Sequence, residues 1–426
     1  MREMKDSGID WIGTIPQDWQ LSKIGSLYTQ RNEKVSDKDY QPLSVTMQGI
    51  LPQLATAAKT DDGDNRKLVR VGDFAINSRS DRRGSCGISP LDGSVSLINI
   101  ILTPRTAMHP GYYNWLFHTT LFADEFYKWG HGIVADLWTT RWQEMKSITV
   151  PVPEYAEQER IAAFLDAECA EIDAVLEKTR ASIEEYKKLK QAVITQAVTK
   201  GVRGDRPMKN SGIEWIGDIP ESWEVSSVRY IGQLQNGISK GGEFFGKGFP
   251  FVSYGDVYKN YELPHSVSGL IDTTEDERAT YSVEYGDIFF TRTSETIEEV
   301  GFSCVCKRSI PNATFAGFII RLRPFCADEK ILTDYAKYYF RGEHIRAYLV
   351  KEMNLVTRAS LGQTLLKGMS VIVPPKSAQK EIAEYLDDKC ADIDALVAKK
   401  QQYLTEIENY KKSLIYEYVT GKKEVV

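Results

Sequence analysis

The chain has 426 residues, of which 42% are hydrophobic and 26% charged, and its formal net charge at pH 7 is −6. This length exceeds the size at which a single hydrophobic core stops growing, so two or more domains are expected. The composition excludes a fibrous or disordered chain, and no apolar run approaches the roughly 18–20 residues that a membrane helix needs.

The cysteines and the first residues of the chain indicate the cellular compartment in which the protein is expected. The six cysteines have neither disulfide-framework nor zinc-site spacing, and Cys304 and Cys306 stand too close together for one arm of a Cys-x-x-Cys pair. The opening residues, MREMKDSGIDW, lack the apolar core of a signal peptide. We therefore expect reduced thiols, a cytoplasmic location and no membrane partner.

A tryptophan motif begins each half of the chain. Ser7–Trp19 reads SGIDWIGTIPQDW, and Ser211–Trp223 reads SGIEWIGDIPESW. Each copy is followed by a lobe, residues 20–152 and residues 224–373, within which the two halves diverge sharply. In this duplication the flanking motifs are repeated while the sequences of the lobes have diverged, which predicts two similar modules with different targets.

A long tail ends each half. Residues 158–166, QERIAAFLD, return as residues 379–387, QKEIAEYLD, and the match continues without a gap to Thr199 and Thr420. The first tail is followed by Gly201, which permits the left-handed backbone of a helix end. Two helices of matched sequence in one chain can pair with each other, so the tails predict a rod of roughly 60–70 Å at about 1.5 Å per residue.

The apolar residues of both tails recur at heptad spacing, which is typical of a coiled coil. The rows are imperfect, because lysines interrupt them at positions 190, 400 and 411. An isolated coiled coil of this sequence would therefore be weak. The cysteines in the rows, Cys169 and Cys390, are expected to be packing residues.

Short β-branched and aromatic runs, broken by Gly, Pro, Asn and Asp, make up the lobes. The predicted strands are residues 42–46, 74–77 and 99–102 in the first lobe, and 249–254, 287–291 and 317–321 in the second. A helix is predicted at residues 112–129 and another at 333–351. The sequence thus predicts α+β lobes and the division 1–152, 153–201, 202–373 and 374–426.

Basic and hydroxyl residues follow the central predicted strands, and a second group precedes each tail. Arginine can bind guanine or phosphate with its forked donors, while serine and threonine can donate to either. Because surface loops are often rich in Arg and Ser, any single residue of these groups could equally well be exposed to solvent and make no contact with DNA. The candidates for DNA contact are Ser44, Thr46, Arg79, Ser80, Arg82, Arg83, Thr139, Thr140, Arg141, Lys240, Tyr254, Arg292, Thr293, Ser294, Thr357 and Arg358.

Catalytic motifs are not found in the sequence. Residues 241–247 fit the first seven positions of a phosphate-binding loop, but Gly248 stands where the magnesium-binding hydroxyl should be. The five histidines form no ligand-spaced pair, and no nucleophile–base constellation is evident. The chain is therefore interpreted as a binding protein without a metal or cofactor of its own.

The repeated motifs resemble those of the specificity subunits of type I restriction-modification enzymes, the HsdS family. The resemblance rests on the tryptophan motif, on Val-x-Val-Pro before each (Ala/Ser)-x-Gln-(Lys/Glu)-x-Ile-Ala, and on Ile-Asp-Ala at 172–174 and 393–395. The segment TQAVTKG at 195–201 also fits, whereas YEYVTGK at 416–422 keeps only part of that pattern. The resemblance covers essentially the whole chain.

The resemblance implies an α+β fold in which two pseudo-symmetric target-recognition domains are separated by two long antiparallel coiled-coil helices. Each domain would read one half of a bipartite, asymmetric site in double-stranded DNA, and the helices would fix the unread gap. Two modification subunits, which methylate adenine with S-adenosylmethionine, would dock on the helices and tryptophan motifs. Restriction subunits would join through them, with ATP and magnesium also held by the partners.

Two other classes of protein are compatible with parts of the sequence. A self-contained modification or restriction enzyme would need catalytic motifs that the sequence lacks. A coiled-coil scaffold with two protein-binding lobes explains the divergence of the lobes equally well. Association with a methyltransferase distinguishes the scaffold from the DNA reader.

Overall fold

The computed structural model describes residues 2–53, 63–132, 138–204, 206–294, 299–352 and 359–425. The chain divides into two compact units. Unit 1 comprises Met1–Arg180 and Gln401–Val426, and unit 2 comprises Ala181–Lys400. Each unit therefore contains one lobe together with a stretch of both tails, which is a different partition from the division into lobes and spacer helices made above.

Unit 1 combines short strands with helices on the sequence of the first lobe. Its strands are β1 Met4–Asp6, β2 Thr14–Pro16, β3 Gln20–Lys23, β4 Tyr28–Arg31, β5 Lys34–Val35, β6 Leu43–Thr46, β7 Gly49–Pro52, β8 Arg66–Val69, β9 Phe74–Asn77, β10 Cys86–Ile88, β11 Gly93–Val95, β12 Asn99–Pro104 and β13 Thr149–Val152. Its helices are α1 Ile24–Leu27, α2 Pro110–Phe117, α3 Thr120–Lys128 and α4 Trp142–Met145, followed by the first tail, α5 Tyr155–Lys200, which continues into unit 2.

Unit 2 also combines short strands with helices, on the sequence of the second lobe. Its strands are β14 Met208–Asn210, β15 Asp218–Pro220, β16 Glu224–Ser227, β17 Gly232–Asn236, β18 Phe245–Val252, β19 Gly269–Ile271, β20 Ile288–Thr291, β21 Thr293–Ser294, β22 Ser303–Val305, β23 Thr314–Phe315, β24 Ile319–Pro324, β25 Ala359–Ser360 and β26 Ser370–Val373. Its helices are α6 Tyr254–Lys259, α7 Glu275–Thr280, α8 Thr333–Tyr339, α9 Glu343–Glu352 and α10 Gln363–Gly368, followed by the second tail, α11 Lys376–Val419.

The central sheet has the same topology in both units. Its strand order is β10-β9-β12-β4 in unit 1 and β22-β20-β24-β17 in unit 2, with all neighbours antiparallel. The inner strands β9 and β20 are buried along their whole length, as their sequences FAIN and IFFT require. The duplication seen in the sequence is thus a duplication of the fold, and the α+β prediction is confirmed.

The Gly-Asp fragment that both lobes share forms the turn before this inner strand. Gly72 and Gly286 have φ angles of +86° and +88°, a left-handed conformation that side chains rarely adopt. The carboxylates of Asp73 and Asp287 accept hydrogen bonds from the backbone amides three residues earlier, at 2.9 and 2.8 Å. The fragment is therefore preserved as a structural turn and is not a contact surface.

An arginine neutralises each of these two buried carboxylates, but from a different strand. Arg31 on β4 donates to Asp73 at 2.8 Å, whereas Arg323 on β24 donates to Asp287 at 2.6 and 2.7 Å. The counterpart of Arg323 on β12 is Thr103, whose hydroxyl donates to Asp73 at 2.8 Å. The pairing of the buried charge is preserved although its partner has moved to the next strand.

The tryptophan motifs close onto the ends of the two tails. Trp19 and Trp223 are buried, and each packs against the glycine that follows a tail. A Cβ on Gly421 would lie 3.0 Å from the Trp19 ring, and one on Gly201 would lie 3.3 Å from the Trp223 ring. Both glycines also have positive φ angles. The predicted helix end at Gly201 is confirmed, because α5 stops at Lys200.

The two tails run antiparallel within each unit. In unit 1, Asp173 pairs with Lys411 and Arg180 pairs with Glu408, both at 2.6 Å, so positions rise on α5 as they fall on α11. The matched pair in unit 2 joins Lys190 to Asp394 at 2.6 Å. Two of the lysines that interrupt the heptad rows thus have carboxylate partners on the opposite helix.

Three local predictions are wrong. The helix predicted at 112–129 is two helices, because the Thr119 hydroxyl accepts from the Phe122 amide at 3.2 Å and starts α3. The helix predicted at 333–351 is likewise broken between α8 and α9. The strand predicted at 249–254 ends at Val252, since Ser253 caps α6 with a bond from the Asp256 amide at 3.3 Å.

Candidate nucleic-acid interface

In unit 1 the two predicted contact groups are joined by a backbone bridge. The chain leaves β9 at Ser78, and Arg79 forms an antiparallel bridge with Thr139. The Ser80 amide donates to the Trp138 carbonyl, and the Thr140 amide donates to the Ser78 carbonyl, both at 3.0 Å. Residues far apart in the sequence therefore meet at the end of the inner strand of the central sheet.

A cleft of about 340 Å³ opens beside this bridge. Lys67 lines it, and its ammonium group donates to the Asn99 carbonyl at 2.6 Å. Partial burial lowers the pKa of Lys67. Leu97 and Ile98 form an exposed apolar rim, so the cleft combines a fixed cation with apolar surface.

The arginines of unit 1 differ in their availability. Arg79 is exposed, and its guanidinium has no hydrogen bond or ion pair with the residues the structure describes. Arg82 lies 3.8 Å from Asp81 in an exposed 3-10 turn, and Arg83 pairs with Asp124. Arg79 is therefore the side chain of this group that is best placed to bind an external ligand.

Several hydroxyl candidates already take part in internal hydrogen bonds. Thr140 is buried, and its hydroxyl donates to the Phe126 carbonyl at 2.9 Å. The Thr46 hydroxyl donates to the Gly49 carbonyl at 3.0 Å in the turn between β6 and β7. Ser44 lies half-buried on β6, and Arg141 is exposed immediately before α4. Thr140 and Thr46 thus stabilise the lobe through their hydroxyl groups.

Unit 2 has the same bridge at the end of its inner strand. Thr293 pairs with Ser360, because β21 and β25 run antiparallel. The Leu361 amide donates to the Arg292 carbonyl at 2.7 Å, and the Arg292 amide donates to the Phe318 carbonyl at 2.9 Å. The loop after the central strand and the segment before the second tail therefore meet here as well.

The matching hydrogen bonds give the register between the two bridges. Arg292 takes the place of Ser78, because each carbonyl accepts from the segment that precedes α4 or α10. Thr293 consequently takes the place of Arg79. The two arginines that the sequence places after the central strands are therefore one position out of step, which agrees with the alignment that the shared Gly-Asp fragment at 72–73 and 286–287 gives.

The other candidates in unit 2 either lie away from the bridge, lie next to it on β21, or fall outside the residues that the structure describes. The Lys240 ammonium donates to Glu277 at 2.6 Å and to the Asp272 carbonyl at 2.9 Å. Tyr254 starts α6, and its ring stacks on Tyr258 at 5.8 Å. Ser294 follows Thr293 on β21, whereas Thr357 and Arg358 lie outside the described residues.

Phe318 is an exposed residue of this edge that the sequence analysis did not single out. It is 62% exposed, and its carbonyl accepts from the Arg292 amide at 2.9 Å. Its counterpart in unit 1 is Ile98, whose carbonyl accepts from the Ser78 amide at 3.3 Å. An apolar residue therefore stands beside the bridge in each unit, and no signal in the sequence indicated it, because Phe318 lies within the predicted strand 317–321.

The described residues offer no group of three or more His, Cys, Asp or Glu side chains arranged to hold a metal ion. Burial raises the pKa of the Cys169 and Cys390 thiols to about 11, so both are protonated packing residues at neutral pH, as expected. Within the described ranges, no helix has the length and apolar character to cross a membrane.

The chain is similar to known proteins along nearly all of its length. A family model described as type I restriction modification DNA specificity domain matches residues 220–408. The EcoKI specificity subunit of Escherichia coli K12 is 22% identical over 436 residues, covering 96% of this chain and 90% of the relative. The MjaVIII specificity subunit of Methanocaldococcus jannaschii is 23% identical, covering 96% of this chain and 94% of the relative.

Solved structures share the fold. A chain from a study of complex assembly and conformational transition of the type I R-M system matches with a TM-score of 0.73 at 14% identity, covering 96% of this chain and 99% of that one. The HsdS subunit from Thermoanaerobacter tengcongensis matches with a TM-score of 0.50 at 16% identity, covering 96% and 98%. Together with the duplicated tryptophan motifs and paired tails, these matches show that the chain is similar to the specificity subunits of type I restriction enzymes along nearly its whole length and shares the fold of the solved structures.

Proposed function

We propose that this chain reads double-stranded DNA at two half-sites, one through each unit, and so directs a type I restriction-modification complex. The observation that carries the proposal is the repeated bridge. The same backbone hydrogen bonds stand at the end of the same strand in both units, yet they present Arg79 in one and Thr293 in the other. Constant backbone with variable side chains is what two readers of different base sequences require.

In unit 1 the reading residue is Arg79, supported by the cleft beside it. An exposed arginine without an internal partner can place its two parallel donors on the major-groove edge of guanine. The apolar rim of Leu97 and Ile98 suits the methyl group of thymine. Lys67, whose ammonium is held by the Asn99 carbonyl, supplies positive charge at the cleft wall.

In unit 2 the corresponding residues are Thr293, Arg292 and Phe318. A threonine hydroxyl donates to or accepts from several bases, so it discriminates less strongly than arginine. Phe318 brings an apolar surface to the same edge, which favours thymine or a deformable base step. The two half-sites are therefore expected to differ in sequence.

The net charge bears on how tightly the chain binds alone. A protein with a net charge of −6 gains little from the release of counterions around a duplex. We infer that partner subunits supply much of the basic surface that encloses the DNA. The isolated chain should therefore bind DNA weakly; tight, salt-resistant binding by the chain alone contradicts this.

The proposal assigns the chemistry to partner subunits. This chain would be cytoplasmic and non-catalytic, and two modification subunits would methylate adenine in each half-site with S-adenosylmethionine. Restriction subunits, which use ATP and magnesium, would join through them. The tails, with 46 residues in α5 and 44 in α11, would set the length of the unread gap. One helical turn added to both tails should lengthen the gap and leave both half-sites unchanged.

The decisive experiment is methylation mapping by long-read sequencing. A host expressing this chain with its cognate modification subunit is compared with the same host lacking the chain. A new bipartite motif with methyladenine in each half supports the proposal and supplies the target. An assembled, active complex without a new motif contradicts it and favours a scaffold with two protein-binding lobes.

A further inference from the structure

A groove of about 540 Å³ lies in unit 2 between the end of α5, the second tryptophan motif and α9. Thr195 and Thr199 line it from α5, and Trp215 and Ile216 from the motif. His344, the second residue of α9, forms part of its wall. Nothing in the proposed reading of DNA uses this groove.

The unusual feature of the groove is His344. The side chain is 3% exposed, yet neither ring nitrogen has a hydrogen-bond partner among the described residues. Burial lowers the pKa of His344 to about 3, so the imidazole is neutral and carries one donor and one acceptor. A buried polar group without a partner is destabilising, which indicates that the groove is built to receive a polar ligand.

Unit 1 shows what fills the equivalent place there. The Lys422 ammonium, which follows α11, donates to the Ile12 carbonyl at 2.6 Å, to the Tyr416 hydroxyl at 3.0 Å and to the Thr420 hydroxyl at 3.1 Å. It also lies 4.3 Å from the centroid of the Tyr416 ring. The first tryptophan motif is thus closed by a lysine of the same unit.

The order of residues at the ends of the tails explains the difference. Unit 1 reads Thr420-Gly421-Lys422, so the lysine follows the left-handed glycine and turns back onto the motif. Unit 2 reads Thr199-Lys200-Gly201, so the lysine is the last residue of α5; it is exposed and lines the groove without filling it. Thr195 stands where unit 1 has Tyr416, and its hydroxyl accepts from the Glu343 amide at 2.8 Å.

We propose that the groove of unit 2 is a binding site for a lysine side chain of a partner protein. The Ile216 carbonyl and the Thr199 hydroxyl are the counterparts of two groups that hold Lys422 in unit 1. The neutral imidazole of His344 adds an acceptor, and the exposed Glu343 carboxylate at the groove complements a positive charge. Trp215 supplies apolar surface for the methylene chain of the lysine.

The partner, on the function proposed above, is a modification subunit. The two units would then bind their partners differently, because unit 1 closes its motif with its own lysine while unit 2 takes one from outside. This inference rests on the proposed function, but it concerns one of the two contacts only. It can therefore fail while the proposed function holds.

Two variants test the site. His344→Leu, which copies Leu121 at the second position of α3, removes the acceptor that unit 2 adds, and Glu343→Ala removes the carboxylate at the groove. Binding of the purified modification subunit is measured by calorimetry and native mass spectrometry, and melting temperature reports folding. We expect binding at one of two sites to weaken about tenfold or more, with no loss of melting temperature. Unchanged affinity and stoichiometry in a folded variant overturns the proposal.

Three controls separate the possible outcomes. Arg308→Ala changes an exposed cation of unit 2 outside the groove and should leave binding unchanged. Acetylation of the lysines of the modification subunit should weaken its binding to the wild-type chain but cause little further loss with His344→Leu. If Lys200→Ala lowers the melting temperature markedly, the site belongs to this chain's own lysine and the proposal is wrong. If the wild-type chain binds no modification subunit, the proposed function fails as well.

Discussion

The two reading edges share a backbone and differ in side chains. The bridge between Arg79 and Thr139 and the bridge between Thr293 and Ser360 occupy the same place in sheets of the same topology. Backbone hydrogen bonds fix where side chains are presented without regard to which side chains they are. A duplicated protein can therefore change what each unit binds while both units keep their fold.

The buried ion pairs show that side chains can also change in part of the core while the fold is kept. Asp73 and Asp287 are both buried, but their arginines come from β4 and β24, respectively. What the fold requires is a neutralised carboxylate at the turn before the inner strand. The strand that supplies the cation is free to change.

The largest expected effect comes from breaking one of these pairs. Burial raises the pKa of Asp287 in spite of the bonds from Arg323, so the pair adds little net stability. Asp287→Ala nevertheless leaves the guanidinium of Arg323 without its main partner. We expect unit 2 to lose about 3–5 kcal/mol in free energy of unfolding, measured by urea denaturation.

Asp73→Ala should do the same to unit 1, since Arg31 and Thr103 both lose their acceptor. The control is Asp64→Ala, which removes a carboxylate 69% exposed at 3.6 Å from Lys38 and should change stability by less than about 0.5 kcal/mol. Equal, small effects at all three positions would show that the two turns do not depend on their carboxylates.

The next effect depends on pH and comes from a buried histidine of unit 2. His344 has a pKa of about 3 when folded and an ordinary value near 6.5 when unfolded, so the unfolded chain binds a proton that the folded chain does not. Its contribution to stability is complete above about pH 6.5 and is lost as the pH falls towards 3. The slope is about 1.4 kcal/mol per pH unit.

His344→Leu removes this pH-dependent contribution to stability. The difference in free energy of unfolding between wild type and variant should therefore change by about 2–3 kcal/mol between pH 6.5 and pH 4.5. Above pH 7 the difference between them should not vary with pH. The free energies are compared by urea unfolding followed through tryptophan fluorescence. A constant difference across the whole range would mean that the pKa of His344 is the same in the folded and the unfolded chain.

Much of this architecture follows from the sequence, because the duplication is visible in it. The inner strand predicted at residues 74–77 coincides with β9, and the tail predicted from the heptads coincides with α5 within a few residues. Both signals are local: a run of apolar β-formers, and an apolar period that ends at glycine. The resemblance to specificity subunits was carried by the same repeated segments and is confirmed.

The details of the reading edge were not predictable, because they depend on contacts between distant segments. The burial of Thr140 is set by its bond to the Phe126 carbonyl, and the backbone bond between Arg292 and Leu361 joins two segments that no local pattern connects. The breaks in the helices escaped prediction because apolar residues continue on both sides of Thr119 and face one core. A hydrophobic period does not reveal a cap inside it.

The third prediction concerns the reading residues themselves. In the assembled complex, Arg79→Ala should weaken binding by about 1–3 kcal/mol, with the loss confined to one half-site. Thr293→Ala, at the equivalent position of unit 2, should cost about 0.5–1.5 kcal/mol at the other half-site, because a neutral hydroxyl is lost. Binding is measured on DNA with each half-site altered in turn.

Arg82→Ala is the matched control, because this exposed arginine lies in the neighbouring turn near Asp81. It should weaken binding less and without preference for either half-site. An equal loss on all sequences for Arg79→Ala would demote Arg79 to a phosphate contact. Losses at the same half-site for Arg79→Ala and Thr293→Ala would contradict the assignment of one half-site to each unit.

The smallest effect compares the two matched ion pairs of the tails. Lys411 and Lys190 are 22% and 15% exposed and pair with Asp173 and Asp394 at 2.6 Å. Reversing one charge of a pair should cost about 0.5–1 kcal/mol, and reversing both should restore most of it.

Lys190 also lies 4.9 Å from the centroid of the Tyr261 ring, which adds about 0.5 kcal/mol. The coupling energy from a double-mutant cycle should therefore be similar in the two units, while Lys190→Ala should destabilise more than Lys411→Ala; the opposite order would show that the ring contributes nothing to the difference.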